Sequence, residues 1–294
     1  MQKEEAQKLL FLINPVSGGK NKQNWEAVIR NYFRDLPHHP EIFILTGKGD
    51  PVSVRHHLQT VKPDKVVAVG GDGTIKLAAE QLLNSGIPLG IIPAGSANGM
   101  ARELGIPLRL EEALKIVLDG NIHDIDAIRI NGGEICLHLS DIGLNANLVK
   151  HFEDSDQRGM WAYGRGLVKV LYHKSYMHVT LQTDTETIRR KAFMVVLANA
   201  RTYGTGAVIN PEGNLEDGRF EVVVVRKLNL IELLKMLVTH KPFDPDKIEI
   251  FHARSLEVSL YRKAYFQVDG EYRGKIRGLT AEILPACLRM ILPG

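Results

Sequence analysis

The sequence predicts an α/β protein of two domains. The first is an α/β domain with a mainly parallel sheet over residues 1–125, the second an antiparallel β-sandwich over residues 126–276. Three observations predict this. Apolar runs of strand length alternate with helical periodicity up to about residue 125. Those runs are continuous rather than alternating, as in a parallel sheet covered by helices on both faces. From Asp126 onward short strand candidates follow one another and helices become few. The length of 294 residues suits two ordinary domains.

Leu9 to Ile13 is the first strand, and it ends in the loop Asn14-Pro15-Val16-Ser17-Gly18-Gly19. Trp25, Val28, Ile29, Tyr32 and Phe33 then share one face of a helix. Ile42 to Leu45 gives a strand, Val54 to Leu58 a helical segment, and Val66 to Val69 a strand ending at Gly70. A helix starting at Thr74 carries Ile75, Ala78, Ala79, Leu82 and Leu83 on one side and stops at Asn84-Ser85-Gly86. Ile87 to Ile92 and Ala97 to Leu104 supply a further strand and helix. In the second half, strands are expected at Ala127–Ile130, Glu134–Leu139, Met177–Gln182, Phe193–Ala198, Phe220–Val225, Leu256–Leu260 and Ala264–Val268. Asn131-Gly132-Gly133 is a hairpin signal. Leu230 to Val238 reads as a helix with Asn229 and Glu232 in a capping box. Ala281 to Leu292 adds one or two strands, with a return of residues 277–294 to the first domain left open.

Composition excludes several classes. Cys136 and Cys287 are the only cysteines and lack CxxC spacing, so neither a disulfide framework nor a zinc site is expected. A reducing, cytoplasmic setting is the natural reading. No run approaches the roughly 18 apolar residues of a membrane-spanning helix. A net charge of +3 permits loose attraction to anionic lipid heads but gives no basic stripe for nucleic acid. The pairs His38-His39 and His56-His57 point apart on a strand or helix and do not chelate one metal. Trp161, Tyr163, Leu167, Val170 and Leu171, interleaved with Arg158, Arg165, Lys169 and Lys174, suit either a membrane-facing amphipathic segment or a helix packed on the sandwich.

Parallel sheets bind ligands beyond the carboxyl ends of their strands, and three glycine-rich loops lie at such ends. Gly70-Gly71-Asp72-Gly73-Thr74 brings backbone N–H groups and a helix N-terminus to one spot without Cβ obstruction. Asp72 makes sense there if it meets Mg²⁺ or ribose hydroxyls; in isolation the loop also reads as a tight turn with Asp72 as N-cap. The loop at Asn14, Ser17, Gly18 and Lys20 adds a hydroxyl and a cation. The loop Pro93-Ala94-Gly95-Ser96-Ala97-Asn98-Gly99 offers Ser96 and Asn98, with Arg102 beyond it for phosphate charge or as a solvated face. Together the three loops point to a polyphosphate site. Neither a GxxxxGK[ST] loop nor a GxGxxG fingerprint is present.

In this order the loops resemble the diacylglycerol kinase catalytic-domain family, which includes bacterial soluble lipid kinases and sphingosine and ceramide kinases. The resemblance continues through Asn199-Ala200-Arg201-Thr202-Tyr203-Gly204-Thr205-Gly206, Asn210-Pro211, Leu215 to Val222 and Val268-Asp269-Gly270-Glu271, nearly the whole chain. It implies an ATP- and Mg²⁺-dependent lipid kinase acting in a cleft between the two domains. It makes Asp269 the general base on the lipid hydroxyl, with Asp72 the second catalytic carboxylate. Unaided, Asp269-Gly270-Glu271 reads as a hairpin turn. The nucleotide would engage Asn14, Ser17, Gly18, Gly70, Gly71, Asp72, Gly73, Thr74, Gly95, Ser96, Asn98, Arg102 and Glu271. A structural Mg²⁺ is implied at Asp217, through backbone groups of Asn214 and Arg219 and waters reaching Asp126. Partners implied are ATP and a lipid at a membrane surface met peripherally and transiently, without nucleic acid; a homodimer is compatible.

The sequence departs from the family at three places. The usual Thr-x-Asn-Asp is Ser96-Ala97-Asn98-Gly99, the Glu commonly following Gly-Gly-Asp-Gly-Thr is absent around Lys76-Leu77, and Gly-Phe-Asp-Ala is Gly143-Leu144-Asn145-Ala146. Asn145 argues against an amine-bearing acceptor, and the acceptor lipid stays open. Two rival readings are an NAD kinase, which shares Gly-Gly-Asp-Gly, and a degenerate lipid- or nucleotide-binding protein.

Overall fold

The computed structural model describes residues 5–17, 24–144, 146, 176–203, 207–227 and 243–294. The chain divides into two compact units, Met1–Ile125 with Ala286–Gly294, and Asp126–Pro285.

The first unit contains β1 (Lys8–Ile13), α1 (Trp25–Tyr32), β2 (His39–Ile44), α2 (Asp50–Val61), β3 (Lys65–Gly70), α3 (Asp72–Leu82), β4 (Leu89–Pro93), α4 (Gly99–Glu103) and α5 (Leu110–Asp119). Its sheet runs β4-β3-β1-β2 with parallel pairing throughout. The last residues of β14 (Glu271–Leu292) join it beside β4, Met290 facing Leu89. Every residue of β3 and β4 is buried, which explains why these strands read as unbroken apolar runs. The interleaved helices supply the cover. α5 packs on β4, α3 on β3 and β1, and Phe33 beyond α1 sets its ring edge-on to Phe11 at 5.6 Å. The Lys65 ammonium donates to Val117 O and Leu118 O, both at 2.9 Å, at the C-terminal end of α5.

The second unit is antiparallel. Its strands are β5 (Asn121–Ile130, entering from the first unit), β6 (Glu134–Cys136), β7 (Leu139–Gly143), β8 (Met177–Thr183), β9 (Thr187–Ala192), β10 (Met194–Ala198), β11 (Phe220–Val225), β12 (Ile248–Ala253), β13 (Ser255–Val268) and the first part of β14. The order is β12-β11-β10-β7-β13-β14, with β8-β9 added on β13 and β5-β6 beside β14. Val179, Leu181 and Ile188 share one core with Val195, Leu197, Val222 and Val224, so two strand layers face each other as in a sandwich.

Several elements differ in extent from the sequence reading. α3 begins at Asp72 rather than Thr74, with Gly71 as N-cap. Leu256–Leu260 and Ala264–Val268 are one strand, continuous through an irregularity in register. Glu134–Leu139 divides into β6 and the start of β7. Helix α5 and strands β9 and β12 had no counterpart in the reading. β9 hides its strand character because Thr187, Arg189 and Lys191 face solvent. The helix expected at 230–238, the amphipathic segment at 158–174, Gly18 and Asn145 lie outside the described residues.

Candidate functional site

Three loops at the carboxyl ends of β1, β3 and β4 are tied to one another by side chains from the sequence motifs. Asn14 donates its backbone N–H to Val69 O at 3.0 Å and its side-chain amide to Thr74 Oγ1 at 3.3 Å. Its Oδ1 accepts from Val16 N–H at 3.1 Å, so one amide orders the first loop and tethers it to α3. Asp72, first residue of α3, accepts from Gly99 N–H at 3.0 Å and Met100 N–H at 2.9 Å. Its carboxylate thereby closes the second loop onto the third. Asn98, in the left-handed region at φ 51°, accepts from Gly95 N–H at 2.8 Å and donates to Gly95 O at 2.9 Å. That amide holds the third loop in shape.

Gly71 and Gly95 meet backbone to backbone. A Cβ on Gly71 would lie 3.1 Å from Gly95 Cα, and one on Gly95 would overlap Gly71 Cα. Nothing lies within 4 Å of a Cβ position on Gly73. That open side stands in the first turn of α3, where Thr74 N–H already donates to Gly71 O at 2.9 Å and the positive end of the helix favours an anion.

A fourth loop completes the cavity. A space of about 410 Å³ is lined by Asn14, Ser17, Gly71, Gly73 and Thr74 together with Thr46, Gly47 and Asp50 from the β2–α2 connection. Asp50 is 5% exposed and accepts from Thr46 N–H (3.0 Å), Thr46 Oγ1 (2.9 Å) and Gly47 N–H (2.7 Å). Burial pushes its carboxyl up, and these three bonds more than offset it, so it sits below the ordinary range. The sequence reading passed over this loop. The signal was Leu45-Thr46-Gly47-Lys48-Gly49-Asp50-Pro51, two glycines and a hydroxyl at another strand end. Ser96 and Arg102 are exposed, Arg102 on α4.

In the second unit, Asp269 and Gly270 form a two-residue turn between Val268 and Glu271, at φ 50° and 84°. The hairpin reading and the carboxylate reading thus concern the same turn. Asp269 takes a left-handed conformation uncommon for a residue with a side chain, and its carboxylate explains why it is held there. Oδ1 accepts from His138 N–H at 2.9 Å and the Cys136 thiol at 3.3 Å, and Oδ2 from Leu137 N–H at 3.2 Å. Behind it, Gln267 accepts from Gly270 N–H at 2.7 Å and donates to buried Asp141. Glu271 is exposed and ion-pairs with Arg273 at 2.6 Å.

Asp126, 1% exposed, accepts from Gly218 N–H at 2.7 Å, and Asp217 from Arg219 N–H at 3.0 Å. Asn214 Oδ1 accepts from Glu216 N–H at 3.1 Å. The loop offers oxygen donors alone, the chemistry a hard cation takes. Among the described residues no three His, Cys, Asp or Glu side chains cluster to hold a metal. A Mg²⁺ here would rest on backbone carbonyls and water, with the two carboxylates shaping the loop around it.

Residues 8–130 match the model of the diacylglycerol kinase catalytic domain, and residues 140–292 that of the YegS C-terminal NAD kinase beta sandwich-like domain. A Klebsiella pneumoniae protein named "Probable lipid kinase YegS-like" is 28% identical, over 97% of this chain and 95% of its own. The diacylglycerol kinase of Bacillus subtilis is 24% identical over 91% of each. The fold is shared with a diacylglycerol kinase of Bacillus anthracis (TM-score 0.76, 19% identity, covering 99% and 98%). It is shared less closely with an NAD kinase of Archaeoglobus fulgidus in complex with ATP (TM-score 0.55, 14% identity, covering 97% and 93%). Fold and matches together define the class, a kinase of the lipid kinase kind. More particularly, the chain belongs to the YegS and diacylglycerol kinase-like family.

Proposed function

We propose that the protein transfers the γ-phosphoryl group of Mg-ATP to the hydroxyl of a lipid, diacylglycerol or a related glycerolipid or sphingolipid. The observation that carries the reading is the glycine-to-glycine contact of Gly71 and Gly95, clamped by Asp72. At the first turn of α3 lies a cavity lined by Asn14, Ser17, Thr46, Gly71, Gly73 and Thr74, with Val16, Leu45 and Leu77 forming an apolar side. Phosphoryl transfer depends chiefly on such positioning and charge neutralisation. Asn14, Ser17, Gly70 to Thr74 and Thr46-Gly47 would cradle the phosphates, with Ser96, Arg102 and Glu271 as further nucleotide contacts. Mg²⁺, when bound with the nucleotide, supplies charge neutralisation between phosphates.

Asp269 is the proposed base. The acceptor hydroxyl loses its proton to the Asp269 carboxylate as its oxygen bonds to the γ-phosphorus and the bond to the ADP oxygen breaks. Three donors, the Cys136 thiol at the end of β6 and two N–H groups of the β6–β7 connection, fix the carboxylate's direction, as a base on a positioned nucleophile requires. An acceptor that resides in a bilayer would call for transient membrane contact, and ATP as donor would place the protein on the cytoplasmic side.

Labelled ATP incubated with a total lipid extract, the product identified by mass spectrometry, tests the reading. A phosphorylated lipid made by the wild type and not by Asp269→Asn is expected. Wild-type turnover in Asp269→Asn would remove the base assignment. The NAD kinase reading is favoured by one observation, the ATP-bound NAD kinase that shares the fold. Phosphorylation of NAD and of no lipid would establish it. Nucleotide binding without transfer to either would identify a binding protein.

A further inference from the structure

The outer face of the β8–β9–β13 strands carries a patch that the proposed reaction does not use. Val179, Leu181, Ile188, Val258 and Leu260 point into the core, so the alternate residues point out. Register sets Thr180 beside both Arg189 and Ser259, and His178 beside Lys191. Tyr261 follows on β13, 77% exposed. At this end the three neighbouring stretches are Tyr176–Thr180, Ile188–Ala192 and Ser259–Lys263. They contain five permanent cations and no carboxylate. Arg190 is taken up by Glu249 at 2.9 Å. Arg189, Lys191, Arg262 and Lys263 are exposed and pair with no carboxylate among the described residues.

Local geometry pushes the patch outward. Between the pairs Ser259↔Gly278 and Ala264↔Ile276, β13 advances five residues while β14 advances two. The surplus residues form a bulge, and Tyr261, Arg262 and Lys263 within it are all exposed. Lys191 Nζ stands 4.4 Å from the centre of the Tyr176 ring, which stacks on Phe193 at 4.1 Å. Arg189, Lys191 and Tyr261 also edge a groove of about 500 Å³. The far end of the same face carries acids, Asp184 and Glu186 in the β8–β9 turn and Glu257 on β13 beside Gln182, so the cations are segregated rather than mixed.

We propose that this basic, tyrosine-bearing end of the β8–β9–β13 face is the surface by which the protein docks on an anionic lipid bilayer. The inference rests on the lipid kinase reading, whose acceptor lies in a bilayer. Charge complementarity selects the partner. Unpaired Lys and Arg side chains each contribute roughly fivefold to partitioning onto an anionic surface, and exposed tyrosines sit at headgroup level.

The test is co-sedimentation of the full chain, without nucleotide, on phosphatidylcholine vesicles with and without phosphatidylserine. Wild type should bind the anionic vesicles and be released by salt. The triple variant Arg189→Ala/Lys191→Ala/Arg262→Ala should lose on the order of 100-fold in partitioning. The control Arg34→Ala/Lys115→Ala, which removes exposed cations from the α/β unit, should lose less than tenfold. Tyr261→Ser alone should weaken binding to anionic vesicles and leave any binding to RNA unchanged. Undiminished vesicle binding by the folded triple variant, an equal loss in the control, or wild-type binding that ignores phosphatidylserine overturns the proposal. So does a triple variant that loses affinity for RNA alone. Phosphorylation of detergent-dispersed lipid, measured beside it, reports on the kinase reading separately; the triple variant should retain it.

Discussion

Asp72 carries two consequences at the scale of a single side chain. As an acceptor for Gly99 and Met100 N–H it belongs to the architecture of the loops before any ligand arrives. Hydrogen bonds to a charged acceptor are worth about 1.5–3 kcal/mol each, and an amide keeps only one of its two ends as an acceptor. Asp72→Asn should therefore lower the unfolding free energy of the ligand-free protein by about 1–3 kcal/mol and abolish turnover. Denaturant titration checks the first part, and unchanged stability would confine Asp72 to ligand contact. Glu221 supplies a pH dependence. It is 1% exposed, held by Asn210 and by His252 Nδ1 at 3.1 Å. Burial pushes its carboxyl above the ordinary range, against the hydrogen bonds of Asn210 and His252, with Asp217 adding to the rise. The folded state therefore holds the proton more tightly. Stability from this group falls as pH climbs from the ordinary glutamate range through the raised value, then levels. Glu221→Gln, which still accepts from Asn210, should flatten that slope and match or exceed wild type at neutral pH. Thermal unfolding across pH 4 to 8 is the measurement (roughly the span of buried carboxyls), and an unaltered slope in the variant would contradict the assignment.

Among elements, the loops were legible where several glycines cluster around a polar residue at a strand end and lead into a helix. Gly70–Thr74 and Gly95–Asn98 stand out in sequence because only glycine allows the backbone of one loop to touch another. The fourth loop, Thr46 to Asp50, escaped because its cohesion comes from one aspartate capping its own turn, which no spacing rule distinguishes from a connector. The Asp269 turn was visible as a hairpin. Its grip on the β6–β7 connection was not, since Leu137 and His138 lie over 130 residues away. Steric differences between glycines yield the prediction for this scale. Gly95→Ala drives a methyl into Gly71 Cα and should part the loops, lowering both stability and nucleotide affinity. Gly73→Ala meets nothing within 4 Å and should fold as wild type while weakening nucleotide binding at least tenfold, about 1.4 kcal/mol, if phosphate lies against it. Calorimetric titration with ATP beside an unfolding curve separates the two. Full nucleotide affinity in Gly73→Ala would move the phosphates elsewhere.

For the molecule as a whole, the decisive feature is the path of β14. Its first part belongs to the antiparallel unit, and its end, Ala286 to Leu292, returns to the parallel one beside β4. The sequence left that return open because Arg289 interrupts the apolar run from Ala286 to Leu292, so its pattern marks neither a buried parallel strand nor an alternating one. Packing decides it. Cys287, Leu288, Met290 and Ile291 are buried there, Cys287 O accepts from Asn84 N–H at 2.7 Å, and the Ile291 side chain lies against Gly90. Each such side chain contributes roughly 1.5–3 kcal/mol by leaving water, so losing the segment removes an amount comparable to the ~5–15 kcal/mol net stability of a domain. The loops proposed to hold nucleotide hang from β1, β3 and β4, and the end of β14 lies beside β4. A chain ending at Pro285 should therefore lose ATP binding altogether, although every loop residue remains. Its antiparallel unit, which keeps Asp126 through Pro285, should still give a cooperative unfolding transition by near-ultraviolet circular dichroism. Retained ATP affinity in that truncation would show that the α/β unit closes its sheet without β14.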